Sequence, residues 1–115
     1  MGSIVLDSGV PIQTDLHVYA HCQRGTSDAV SLLIINTDRN APHSLLLPTG
    51  LLRYTLEAAS LRDADVRLNG RPLALDPGDE LPPIAGAPTT ANTVTFKQAT
   101  ITFLAISAAG NNSCR

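Results

Sequence analysis

The sequence predicts an all-β protein: a single antiparallel β-sandwich domain of about eight or nine short strands. Three observations predict this fold. Apolar and polar residues alternate with a period of two in several segments, and turn residues recur at roughly 8–12-residue spacing. No segment of the 115 residues shows convincing helical periodicity, and no shift in composition divides the chain into two domains.

The first half of the chain contains four predicted strands. Residues 4–6 form a very short apolar run. In Leu16–Cys22 (LHVYAHC) apolar residues alternate with His17, Tyr19 and His21, which predicts a strand with one apolar face. Residues 29–36 are apolar at nearly every position, as in a central strand covered on both sides. Residues 44–47 form a brief apolar strand before Pro48.

The next predicted strand and the hairpin after it have clearer signals. Residues 52–58 alternate, with Leu52, Tyr54 and Leu56 opposite Arg53, Thr55 and Glu57, which predicts a strand whose polar side faces water. Asn69-Gly70 then separates two apolar runs, and this pair supplies the positive φ angles of a type I′ hairpin. Because Pro72 cannot donate to a ladder, we expect the returning strand at a sheet edge.

The last third contains an irregular segment and two strands. Prolines and a glycine in residues 81–90 predict an irregular crossing loop. A short strand is predicted at Thr93–Phe96. Residues 99–107 are apolar on both faces, and we therefore expect a second central strand there.

The two cysteines, Cys22 and Cys114, lie near opposite ends of the chain. A disulfide between them would close a loop of roughly 90 residues and stabilise the fold by roughly 4–5 kcal/mol at best. Two free, buried cysteines are the alternative. A disulfide would indicate a secreted or periplasmic location. Since no signal peptide precedes Asp7, we expect the chain to be the end of a longer secreted protein.

Charge excludes several classes of partner. Charged residues make up only 16% of the chain and the formal net charge is −2, so neither nucleic acid nor an anionic membrane surface is an expected partner. No apolar stretch approaches the 18 residues of a membrane span. The sparse charge also suggests that one face of the domain is covered by something else.

No group of residues predicts a metal, a cofactor or catalysis. On a strand, His21 and Cys22 point to opposite faces, and His17 lies roughly 13 Å from His21 along their shared face. Glycoside hydrolases use paired carboxylates for catalysis. A further hypothesis is therefore that the chain is a remnant hydrolase with its own carboxylate pair. The available carboxylates, however, sit among turn residues and are expected to face water; they are Asp63, Asp65, Asp76, Asp79 and Glu80.

A sugar-binding sandwich would present aromatic rings to its ligand. The chain has no Trp, and its aromatic residues are Tyr19, Tyr54, Phe96 and Phe103. The two phenylalanines lie in apolar strands and are expected in the core. An independent carbohydrate-binding or adhesion module that stacks sugars on Tyr19 and Tyr54 is therefore the alternative function.

Several motifs, taken in order, resemble the C-terminal domain of the heparanase family of glycoside hydrolases (family 79), in particular its bacterial members. The similarity covers nearly the whole chain. The segments that carry it are Leu16-His-Val-Tyr-Ala-His-Cys22, Leu32-Leu-Ile-Ile-Asn36, Leu51-Leu-Arg-Tyr-Thr-Leu56, Val66-Arg-Leu-Asn-Gly70, Leu81-Pro-Pro83, Thr100-Ile-Thr-Phe-Leu-Ala-Ile106 and Cys114.

This resemblance implies a non-catalytic sandwich that packs on a (β/α)8 barrel and stabilises it. The barrel would cleave β-glucuronides, heparan sulfate-like or smaller, with two glutamates that no position here matches. The resemblance also implies a Cys22–Cys114 disulfide and a sheet that lacks one strand supplied from upstream of the barrel. Residues 1–15 would be the junction from the barrel, 16–107 the sandwich and 108–115 a tail held by Cys114.

Overall fold

Ten β-strands and one turn of 3-10 helix account for the regular structure of the described residues. The computed structural model describes residues 1–10, 13–25, 27–47, 50–60, 65–82, 84–89, 93–107 and 109–114. The elements are β1 Val5–Leu6, β2 Leu16–Cys22, β3 Val30–Asn36, β4 His43–Leu46, β5 Leu51–Glu57, β6 Arg67–Leu68, β7 Arg71–Pro72, β8 Ala87–Thr89, β9 Thr93–Phe96, β10 Thr100–Ile106 and the 3-10 turn Asn112–Cys114. The all-β prediction is confirmed, with ten strands where eight or nine were expected.

Two antiparallel sheets of unequal size enclose one core. The larger has the order β1-β2-β3-β10-β5-β6-β7, with β8 also paired to β5, and the smaller consists of β4 and β9. Phe96 and Val94 of the small sheet join Ile34 and Leu104 of the large sheet in a single buried cluster. Because the two sheets face each other across that cluster, the domain is a β-sandwich.

Strands β3 and β10 lie side by side in the middle of the large sheet, as predicted for central strands. One face of each is fully buried, with Ile34 and Leu104 in the core. The other face is not: Leu33 is only half-buried and Phe103 is exposed. The predicted burial of these two strands on both faces is therefore wrong for this chain alone.

The prediction that the polar side of β5 faces water is wrong, because the strand has the opposite orientation. Arg53 and Thr55 point into the sandwich, where the Arg53 guanidinium lies 5.3 Å from the ring centre of Phe96 and donates to the Thr95 carbonyl at 2.7 Å. Burial lowers the pKa of Arg53, and the Glu57 carboxylate opposes that shift. The apolar side of β5 consequently lies on the outer surface.

The hairpin forms as the Asn-Gly pair predicts. Asn69 and Gly70 have φ angles of 50° and 82°, and β7 with Pro72 is the edge of the large sheet. The Asn69 side chain accepts from the Thr55 amide at 2.8 Å and ties the hairpin to β5. The prediction of an irregular segment at residues 81–90 is wrong in part, because β8 lies within it and pairs with β5.

A disulfide joins Cys22 to Cys114, with their Cα atoms 5.3 Å apart. The first residues and the tail meet at this point. The Gly2 amide donates to the Cys22 carbonyl at 2.7 Å, and the Asp28 amide donates to the Cys114 carbonyl at 3.1 Å. The bridge therefore holds the tail beside the end of β2.

Replacing Cys22 with Ala should lower the free energy of unfolding by about 4 kcal/mol, because the bridge closes a long loop in the unfolded chain. Urea denaturation with and without a reducing agent measures the change. Cys114→Ala and the double variant are the matched controls, and they should lose the same amount and become insensitive to reductant. A double variant much less stable than either single variant would contradict this account.

Candidate functional site: the outer sheet face

Twelve side chains from four adjacent strands form the surface that points away from the core. We call this surface the outer face. The strand registers align these side chains in three rows across β2, β3, β10 and β5. The rows are His17, Ile35, Ile101 and Leu56; Tyr19, Leu33, Phe103 and Tyr54; and His21, Ser31, Ala105 and Leu52.

The outer face is mostly apolar, with His17, His21 and Ser31 as its polar side chains, and it is partly open to solvent. Tyr19 is 50% exposed and Phe103 is 36% exposed, and Ile101 and Leu52 are also exposed. None of the twelve side chains is Asp, Glu, Lys or Arg. The largest apolar patch on a soluble monomer commonly measures about 300–600 Å² and is often functional, so the outer face is a candidate interaction site.

One end of the outer face is in contact with another segment of the chain. Gly86 lies so close to Leu52 and Tyr54 that a Cβ atom there would stand 2.8 Å from side-chain atoms of both residues. The whole outer face, four strands by three rows, measures roughly 400 Å² in projection from the usual strand spacing and rise. A glycine at position 86 is thus required for the close approach, and it bounds the patch.

The histidines of β2 lie where the strand pattern predicts. His17 and His21 share the outer face, and Cys22 points to the core and forms the disulfide. The His21 ring Nδ1 lies 2.8 Å from the Gly2 carbonyl oxygen. The residues Cys22, His17 and His21 therefore do not converge on one point.

The predicted surface carboxylates do not form a buried pair. Asp76, Asp79 and Glu80 are exposed, and the Asp76 carboxylate accepts from the Gly78 and Glu80 amides at 2.8 and 2.9 Å. Asp65 is exposed as well, and Asp63 lies outside the described residues. Asp76, Asp79 and Glu80 thus lie on one exposed turn, whereas Asp65 lines a separate cavity beside Val66 and Leu73.

Sequence reasoning missed a second cluster at one end of the sandwich. Asp15, Asp38 and His43 come from three segments, yet their ligand-type atoms all lie within 4.8 Å of one another. The Asn40 amide is the main cause of a lowered pKa at Asp38, and the hydrogen bond with His43 adds to it. No local motif connects these residues, because only the fold brings Asp15 beside the β3–β4 loop.

Comparisons with known proteins do not identify a family for this chain, so its function must be argued from the fold and the site. No protein-family model matches the chain, and no curated protein matches it. Among the described residues no helix is long and apolar enough to cross a membrane. The disulfide is compatible with a secreted or periplasmic location.

Replacing Phe103 with Ser should reduce the fluorescence of a bound hydrophobic dye such as ANS, because the ring contributes to the exposed patch. The free energy of unfolding should fall by only about 1 kcal/mol. Phe96→Ser is the matched control, since Phe96 is 0% exposed in the core and its loss should cost about 3–5 kcal/mol. Equal destabilisation by the two changes would show that the outer face is part of the core.

Proposed function

We propose that the chain is the non-catalytic β-sandwich domain of a heparanase-like retaining glycoside hydrolase, an endo- or exo-β-glucuronidase. Its outer face packs on the enzyme's (β/α)8 barrel and stabilises it. The observation that carries the proposal is the uncharged outer face on a sheet whose other side already holds the core. Such barrels present an outer ring of helices, which can cover a sheet face.

The size of the outer face favours a covalently linked partner over a separate one. Stable complexes between separate proteins bury about 800 Å² on each partner. Interfaces between domains of one chain bury about 600–1,500 Å² in total, or about half of that on each side. The whole outer face, roughly 400 Å² in projection, falls within the per-side range for linked domains and below the value for separate proteins.

The small sheet supports the expected contribution of a strand from upstream. Within the described residues, neither β4 nor β9 pairs with any further strand, so this sheet has two strands against eight in the other. An unpaired strand edge exposes backbone donors and acceptors and is a site for strand addition. We therefore include in the proposal that a strand from upstream of the barrel pairs with the small sheet.

The parent protein can be tested directly. An antibody raised against this chain should recover from its source a protein much larger than 12.1 kDa. Mass spectrometry should identify barrel peptides in that same polypeptide. Recovery of a protein of the chain's own mass only, with no barrel peptides, would contradict the proposal.

Catalysis by the isolated chain is not expected. Incubation with an aryl β-glucuronide should give no turnover above a boiled sample, because Asp65, Asp76, Asp79 and Glu80 are all exposed and do not form a buried pair. Asp79→Asn is the control for trace activity. Turnover that disappears both on boiling and in Asp79→Asn would overturn the non-catalytic assignment.

A carbohydrate-binding module is the second candidate, favoured by the middle row of the outer face. Tyr19, Phe103 and Tyr54 lie in that row, with Tyr19 half exposed. Aromatic rings on a sheet face can stack on sugar rings.

Titration with glucuronate oligosaccharides separates the two candidates. If the outer face serves to pack on a barrel, no saturable binding is expected for the isolated chain. Saturable binding that is lost in Tyr19→Ala and kept in His17→Ala would favour the carbohydrate module instead. His17 is a suitable control because it lies on the same strand and face, one row away.

A further inference from the structure

We propose that Asp15, Asp38 and His43 form a binding site for a divalent transition-metal ion of the Zn²⁺ type. This site is separate from the outer face and does not depend on the proposed function. Two carboxylates and one imidazole provide three ligands, and water would complete the coordination shell. Both the residue types and the spacing support the proposal.

The spacing is close to that of a metal site. The His43 Nε2 and Asp38 Oδ2 atoms are 3.1 Å apart. Two ligands of a tetrahedral Zn²⁺ ion with bonds of about 2.1 Å are about 3.4 Å apart. The Asp15 carboxylate lies within 4.8 Å of the other two ligand atoms, so each separation would need to shorten by at most about 1.4 Å.

The Asp38 carboxylate is oriented before any ion binds. Its Oδ1 atom accepts from the Asn40 and Ala41 amides at 2.8 and 3.1 Å, which leaves Oδ2 directed at His43. Ligand groups held by such outer contacts bind metals more tightly than freely rotating ones. The His43 and Asp38 side chains keep 28% and 19% of their surface accessible, so an ion and its water ligands can reach them.

The loop that carries Asp38 is fixed by a buried amide. The Asn36 side chain donates to the carbonyls of Phe96 and Lys97, both at 3.1 Å, and accepts from the Asp38 amide at 3.0 Å. Asp15 is held to the same loop because its carbonyl accepts from the Thr37 amide and hydroxyl. The backbones of Asp15 and Asp38 are therefore both hydrogen-bonded to the same end of the sandwich.

The ligand set selects among cations. Ca²⁺ takes six to eight oxygen ligands and Mg²⁺ prefers an all-oxygen octahedron, whereas an imidazole suits Zn²⁺ and its neighbours in the transition series. An ordinary ion pair between Asp38 and His43 would also account for the 3.1 Å contact. It gives no role to the Asp15 carboxylate, and this difference makes the proposal testable.

Calorimetric titration of Zn²⁺ into the chelator-treated chain should show one site, with Ca²⁺ at least tenfold weaker. Asp15→Asn and His43→Ala should each weaken Zn²⁺ binding by about tenfold or more. His17→Ala and Asp79→Asn are the matched controls and should leave the affinity unchanged.

Asp15→Asn decides the test even if His43→Ala fails to fold, because it removes a ligand outside the ion pair and keeps the shape of the side chain. Unchanged Zn²⁺ affinity in Asp15→Asn would overturn the site. So would Ca²⁺ binding as tight as that of Zn²⁺, or an equal loss in His17→Ala.

Discussion

The pairing of β10 with both β3 and β5 is the interaction on which the rest of the structure depends. All seven residues of β10 are in register with β3, and five of them also pair with β5. The last strand of the chain thereby joins the first strands to the middle ones. Since side chains alternate strictly along a strand, placing Leu104 in the core places Phe103 outside and fixes the faces of both neighbours.

That constraint explains why the orientation of β5 could not be predicted from its own pattern. Considered alone, Arg53 and Thr55 form the polar side of an amphipathic strand, and such a side usually faces water. The register with β10 instead sets Thr55 opposite the buried Thr102, where their hydroxyls lie 3.2 Å apart. Arg53 becomes an interior donor to the small sheet. The local pattern of a strand predicts which residues share a face. It does not predict which of the two faces the rest of the protein covers.

Local signals were sufficient where the physical cause is local. The bounds of β2 follow from its alternation, and the hairpin follows from the positive φ angles that Asn69 and Gly70 adopt readily. Features that depend on pairing between strands far apart in the chain could not be predicted from the sequence. The approach of Asp15 to His43 requires the β2–β3 register and the Asn36 hydrogen bonds together, and neither leaves a recognisable motif. The disulfide joins residues far apart in the chain, yet it could be predicted as one of two alternatives, because each of the two cysteines has only one possible intramolecular partner.

The composition of β3 and β10 suits a strand covered on both sides, as in a sheet between two layers. In this chain the small sheet covers one side, and Leu33, Ile35, Ile101 and Phe103 remain on the other. A sheet face that stays in water usually carries polar residues, so the apolar residues at these positions support the proposed third layer. On the proposed function the helices of the barrel supply that layer. If that proposal holds, the sparse charge of the chain and the reversed faces of β5 have one cause, namely burial of the sheet on both sides.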